Sequence, residues 1–143
     1  MIYNTSYNNK ETRRKIDDAL GKPFTLKERF KMGGIGSPHM EIAQASVQID
    51  NLLKLDNNRN ICNIEMRPNG IILGFRSLLE SYGLIIPYYK LVLFKGEADT
   101  YSGHMDTYRV AVRVRPRDKS VQKFMKKLMD AKAAYDESVA GPF

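Results

Sequence analysis

The sequence predicts an α+β fold: a strongly bent antiparallel sheet, or partial barrel, of six to seven strands, capped by a C-terminal amphipathic helix and preceded by a helical or irregular N-terminal extension. Three observations carry this expectation. Residues 61–76, ICNIEMRPNGIILGFR, alternate apolar and polar on both sides of a Pro68-Asn69-Gly70 corner, the pattern of a hairpin. Residues 106–115 alternate too, with Tyr108, Val110, Val112 and Val114 expected inside and Arg109, Ala111, Arg113 and Arg115 outside. Beyond Pro116 the period becomes helical. Over residues 118–136, Val121, Phe124, Met125, Leu128 and Tyr135 form one stripe, with Lys119, Lys123, Lys126 and Lys127 on the opposite side.

Taken in chain order, KETRRKIDDAL at 10–20 predicts a short helix ending at Gly21, because Ile16, Ala19 and Leu20 share one side of a helical turn. FTLKERFKM at 24–32 predicts another turn or two with Thr25 as its cap, and GGIGSP at 33–38 then breaks it as a linker. The next segment, HMEIAQASVQIDNLLKLD, fits two readings. Ala43, Ala45, Val47 and Ile49 alternate like a strand, while Ile42, Ala45, Ile49, Leu52 and Leu53 suit a helix capped by Ser37 with Pro38 as its first residue. A polar loop, DNNRN at 56–60, follows. After the 61–76 hairpin, strands are expected near Tyr82–Pro87, at Lys90–Lys95, at Glu97–Gly103 and at Asp106–Arg115, with Gly96 and Gly103 at the reversals.

A chain of 143 residues, 43% hydrophobic and 27% charged, has the size and composition of one globular domain with a real core. The divisions expected are a basic extension over 1–38, the sheet domain over 39–137 and a tail over 138–143. The single Cys62 falls on the apolar side of the hairpin, where a buried hydrophobe is the simplest reading, and one thiol forms no internal disulfide. The polar start, MIYNTSYNNKETRRK, lacks the apolar run of a signal peptide, and no stretch reaches membrane-spanning length, so a cytoplasmic location is expected.

The net charge of +7 sits at the ends of the chain. Residues 1–36 carry eight basic and four acidic residues, residues 37–105 six and seven, and residues 106–143 nine and five. A possible basic face is therefore Arg109, Arg113, Arg115 and Arg117 with Lys119, Lys123 and Lys126, and Tyr88, Tyr89 and Tyr101 are available as stacking groups for nucleic acid. Set against this, strand arginines commonly pair with acidic side chains on neighbouring strands.

Catalytic patterns are weak. Asp99, His104 and Asp106 lie close together, yet a polar hairpin loop explains them more simply than a metal site, and His39 with Glu41 is weaker still. GGIGSP lacks the Gly-Lys-Ser/Thr of a phosphate loop, and no nucleophile motif surrounds any serine. The chain is expected to be no enzyme, with no catalytic or metal residues and no cofactor.

NIEMRPNGIIL, the later LIIPYYKL and the terminal YRVAVRVRPRDKSVQKFMKKL together resemble the bacterial pleckstrin-homology-like domains over roughly residues 40–136, a group in which an Ile-Pro pair leads into a strand at mid-sheet. The resemblance implies seven strands, so residues 40–50 would supply the first. It also implies a non-catalytic platform for a protein, peptide or headgroup. Lipid-binding members place several Lys and Arg around the loop joining their first two strands, where DNLLKLDNNRN holds Lys54 and Arg59 alone, so phosphoinositide recognition is not expected. The expected function is a protein or peptide interaction platform, with nucleic-acid binding through the basic face as the alternative and a structural subunit of a homo-oligomer as a second.

Overall fold

Local capping sets the N-terminal helices. In the computed structural model, which describes residues 1–7, 9–54, 60–96 and 99–140, helix α1 spans Lys10–Leu20. The side chain of Asn9 accepts the Glu11 and Thr12 N–H groups at its start, and Gly21, at φ 83°, ends it as expected. Helix α2 spans Leu26–Met32, with Thr25 and Glu28 forming a reciprocal capping box and Gly33 in the left-handed conformation beyond it.

Ahead of both lies a strand that the sequence does not announce. Strand β1, Ile2–Asn4, pairs antiparallel with β5, Glu80–Pro87, and brings the sheet to eight strands where six to seven were expected. The others are β2 Met40–Ala45, β3 Ile61–Arg67, β4 Gly70–Ser77, β6 Val92–Lys95, β7 Thr100–Met105 and β8 Tyr108–Arg113. All pairings are antiparallel, in the order β1-β5-β4-β3-β2-β8-β7-β6, and the sheet does not close.

The ambiguous segment divides between strand and helix, and the helix begins at Val47 rather than at Pro38: Ser37, expected as its cap, instead bonds to Ile64 of β3. Residues 40–45 form β2, and after Ser46 the chain turns into helix α3, Val47–Lys54; the Ser46 carbonyl accepts the Ile49 and Asp50 N–H groups. Strand β2 is also where the sheet changes partner. Met40 and Glu41 pair with β3, whereas Ile42, Gln44 and Ala45 pair with β8, with a register shift between Ile42 and Gln44 that bends the strand. The 33–38 linker ends α2 but is not idle: Ile35 and Ser37 hydrogen-bond to Met66 and Ile64 of β3.

Several boundaries move. Strand β5 begins at Glu80 rather than Tyr82 and ends at Pro87 as expected, so Ile86-Pro87 closes a strand where the resemblance has such a pair lead into one; β6 begins at Val92 rather than Lys90, and β8 spans Tyr108–Arg113 rather than Asp106–Arg115. Strand β7 runs through Gly103 to Met105, so the reversal falls at Asp106-Thr107, with Asp106 at φ 53°. Ala111, expected outside, is buried, as is its neighbour Ser102 across the pair. Residues 55–59, with Arg59, and Glu97 lie outside the described residues.

At the opening hairpin, Arg67 pairs with Gly70, leaving Pro68 and Asn69 as a two-residue turn in which neither Asn69 nor Gly70 has positive φ. Glycine is needed there for another reason: a Cβ on Gly70 would lie 2.6 Å from Leu20 Cδ2 and 2.4 Å from the Ile86 carbonyl oxygen. Helix α1 thus presses directly on the sheet, with Ile16 and Leu20 forming a small cluster with Ile85. Buried Arg67 fastens it, 3.0 Å from Asp17 of α1, 2.7 Å from Glu65 and bonded to the Gly21 carbonyl.

Helix α4, Lys119–Ala140, buries Val121, Phe124, Met125 and Leu128 against the main core of Ile64, Ile71, Leu73, Ile86, Val110 and Val112. The expected stripe is the buried one, and each such side chain stabilises the fold by about 1.5–3 kcal/mol. The helix extends four residues past the expected end, to Ala140.

Candidate functional site

The seven cations expected to make a basic face divide by their partners. Arg113 and Arg115 share Glu41 of β2: Arg115 Nη2 lies 3.1 Å from Glu41 Oε2, and Arg113 Nε lies 3.6 Å from Oε1 and Nη1 3.9 Å from Asp99. Their side chains stay 40% and 41% exposed, so such pairs contribute about 0–1 kcal/mol each and the N-terminal segment does not cover them. Arg109 is exposed near the start of β8, where its N–H donates to the Ser46 hydroxyl. Arg117, Lys119, Lys123 and Lys126 are exposed and take part in no ion pair among the described residues. The three lysines, spaced by four and three, form one ridge of α4.

A groove of ≈ 890 Å³ is lined by Arg115, Arg117 and Lys119 together with His39 and Glu41, and no Phe or Tyr lines it. The proposed stacking groups are elsewhere: Tyr88 is buried and, with Tyr89, borders a different groove, while Tyr101 is half-buried against the core. None of the three tyrosines lines the groove of Arg115, Arg117 and Lys119; Tyr89 instead has Lys90 over its ring, 6.0 Å from the centroid.

The weak catalytic candidates also separate. His104 meets the Phe94 ring edge-on at 5.4 Å, Asp106 pairs with Lys90 at 3.2 Å, and Asp99 faces Arg113. Burial, helped by the Arg109 charge, lowers the His104 pKa below the ordinary imidazole value. Among the described residues no three His, Cys, Asp or Glu side chains gather closely enough to hold a metal ion. Burial pushes the Cys62 thiol up to about 12, which keeps it protonated and poorly nucleophilic.

The feature that stands out is the end of the sheet. Among the described residues strand β6 has one neighbour, β7, and its other side is unpaired. The Gly96 N–H donates to the Thr100 carbonyl, and because antiparallel bonding alternates, Phe94 and Val92 turn their backbone groups to β7. Leu93 and Lys95 therefore point their N–H and C=O outward. Val92 and Phe94 are 47% and 55% exposed on the outer face. Leu93 faces the core and anchors the strand from within. An open edge with exposed apolar side chains is the form that proteins usually blunt with charge or proline. Here Lys95 alone is charged within β6, and the strand contains no proline.

Comparison with protein families, with curated proteins and with solved structures finds no match to the chain. Sequence reasoning located the 92–95 strand but not its edge position, which depends on the strand order. VLFK does carry a signal, two large apolar residues on the side away from the core, readable once Leu93 is known to face inward.

Proposed function

We propose that the chain is a non-catalytic interaction module of the pleckstrin-homology-like kind, and that the open edge of β6 receives an extended segment of a protein partner as an added antiparallel strand. The open edge carries the reading: Leu93 and Lys95 offer main-chain donors and acceptors for affinity, and Val92 and Phe94 offer side-chain contacts for selectivity. The seven strands from Met40 to Arg113 followed by α4 support the kinship, since that resemblance implies a seven-stranded bent sheet and a terminal helix. The pairing of Arg113 and Arg115 with Glu41 weighs against nucleic acid.

A random peptide library displayed on phage and selected against the whole chain tests this reading. Lys95→Pro removes one outward N–H without touching the β7 ladder, and Lys95 is exposed, so the variant is expected to fold. Selected peptides are expected to bind Lys95→Pro at least tenfold more weakly, the effect of a lost backbone hydrogen bond and the register around it. Unchanged binding to Lys95→Pro, or binding lost when Arg117 and Lys119 become Glu, contradicts the reading.

A further inference from the structure

Helix α2 turns its apolar face away from the protein. It buries none of its residues, and Leu26 and Phe30, one turn apart on the same side, are 83% and 90% exposed, Phe30 being the most exposed large apolar side chain among the described residues. The helix is nonetheless firmly held. The capping box fixes its start, the Gly33 and Gly34 N–H groups bond to the Phe30 and Arg29 carbonyls at its end, and Lys127 of α4 donates to the Gly33 and Gly34 carbonyls. Phe24 and Met32, at either end, pack against the main core. The fold itself therefore sets Leu26 and Phe30 toward solvent.

Charge is arranged around that pair. At about 100° per residue, Lys27 and Arg29 lie about 80° to either side of the line through Leu26 and Phe30, and Lys31 follows one turn after Lys27. The one carboxylate of the helix, Glu28, falls on the opposite side and is spent within the chain, accepting the Thr25 N–H at 3.0 Å. Lys27 and Lys31 are exposed and take part in no ion pair among the described residues. Lys127 brings a further cation to the end of α2, and Lys123 stands one turn before it on α4.

The pair is too small for a protein interface. A Phe side chain supplies about 150–250 Å², whereas a stable contact needs roughly 800 Å² from each partner and has few lysines at its centre. A bilayer surface requires neither a large area nor a shaped pocket: protruding apolar side chains sink into the boundary between headgroups and acyl chains, and flanking cations meet anionic headgroups. We propose that α2 is an interfacial anchor that seats the protein on an anionic lipid surface, with Leu26 and Phe30 inserted and Lys27, Arg29, Lys31 and Lys127 over the headgroups. This does not rest on the β6 reading.

The chain contains no tryptophan, so Phe30→Trp reports on this helix alone. On vesicles of phosphatidylcholine with one-quarter phosphatidylserine, its emission is expected to shift to the blue and to be quenched by lipids brominated near the headgroup end of the acyl chain. Phosphatidylcholine alone should give a much smaller shift, and added salt should reduce binding. Phe94→Trp, on the β6 edge, should not shift on the same vesicles. In vesicle flotation, Phe30→Ser, which leaves the charge unchanged, should bind about tenfold more weakly than the parent, and Lys27→Gln with Lys31→Gln roughly thirtyfold more weakly. These positions are exposed, so the urea midpoint of each variant should match that of the parent. The proposal is overturned if the whole chain does not float with the phosphatidylserine vesicles, if it floats while Phe30→Trp emission stays unshifted or Phe94→Trp shifts equally, if Phe30→Ser floats as well as the parent, or if Phe30→Ser turns a dimer into a monomer in sedimentation, which assigns the face to a second copy.

Discussion

Adding one methyl group at Gly70 tests how the N-terminal helix is held to the sheet. A Cβ at that position would lie 2.4 Å from Ile86 O, 2.6 Å from Leu20 Cδ2 and 2.8 Å from Pro87 Cα. Two of these atoms belong to the β5 backbone and cannot rotate away, and Leu20 is fully buried, so it moves only by giving up its packing. Overpacking of this kind costs about 1–3 kcal/mol, and loss of Leu20 burial adds up to about 1.5–3 kcal/mol. Against this, alanine restricts the unfolded chain and returns about 0.4–1 kcal/mol. The net expectation for Gly70→Ala is a loss of about 2 kcal/mol. Gly36→Ala is the matched control, because nothing lies within 4 Å of its Cβ and its φ is not positive; it should be neutral or stabilise by up to about 1 kcal/mol. With a urea slope of about 2 kcal/mol/M, the Gly70→Ala midpoint falls by about 1 M, and amide exchange in α1 speeds up. A Gly70→Ala midpoint at or above that of the parent, or an equal fall for Gly36→Ala, refutes the argument.

Leu128→Ala, at a fully buried position that borders a cavity of ≈ 20 Å³, should cost about 3–5 kcal/mol in the same assay because the existing void merges with the new one, whereas Lys123→Ala on the exposed side of α4 should stay within about 0.5 kcal/mol. Cys62, buried and with its thiol pushed up to about 12, should resist iodoacetamide in the native protein at pH 8 and react once urea unfolds it; rapid native labelling contradicts the packing described. Hydrogen bonds from Ser6, Asn4 and Tyr7 hold the Glu80 carboxyl below the usual range, so its hold on the N-terminal strand is complete above its ordinary pKa and is lost as pH falls through the lowered folded value. Protection of the Thr5 amide, bonded to the Ser81 carbonyl, should therefore drop below about pH 4 after correction for intrinsic exchange, and Glu80→Gln should remove that pH dependence.

The parts of the fold legible in the sequence were those with a long, single period. Tyr108–Val114 and Val121–Leu128 each place apolar residues on one face, and those residues pack inward as the pattern implies, although Ala111, on the other face of its strand, is buried too. The 40–54 segment was ambiguous because its apolar residues serve two elements in turn, a strand to Ala45 and a helix from Val47, with Ser46 between them. Strand β1 has three residues and no pattern of its own; it exists through pairing with Gly83 and its neighbours on β5. Gly70 was legible as a turn residue for the wrong reason, since its use depends on Leu20, fifty positions earlier. The binding surfaces were the least legible. The edge of β6 follows from strand order.

Strand addition at β6 is tested most directly by residue-resolved amide exchange of the whole chain with and without a saturating selected peptide. Leu93 and Lys95, whose N–H groups point outward in the free protein, should become strongly protected on binding, while Val92 and Phe94, already bonded to β7, should change little. A peptide that binds at saturation and leaves the Leu93 and Lys95 amides exchanging as they do in the free protein contradicts the account.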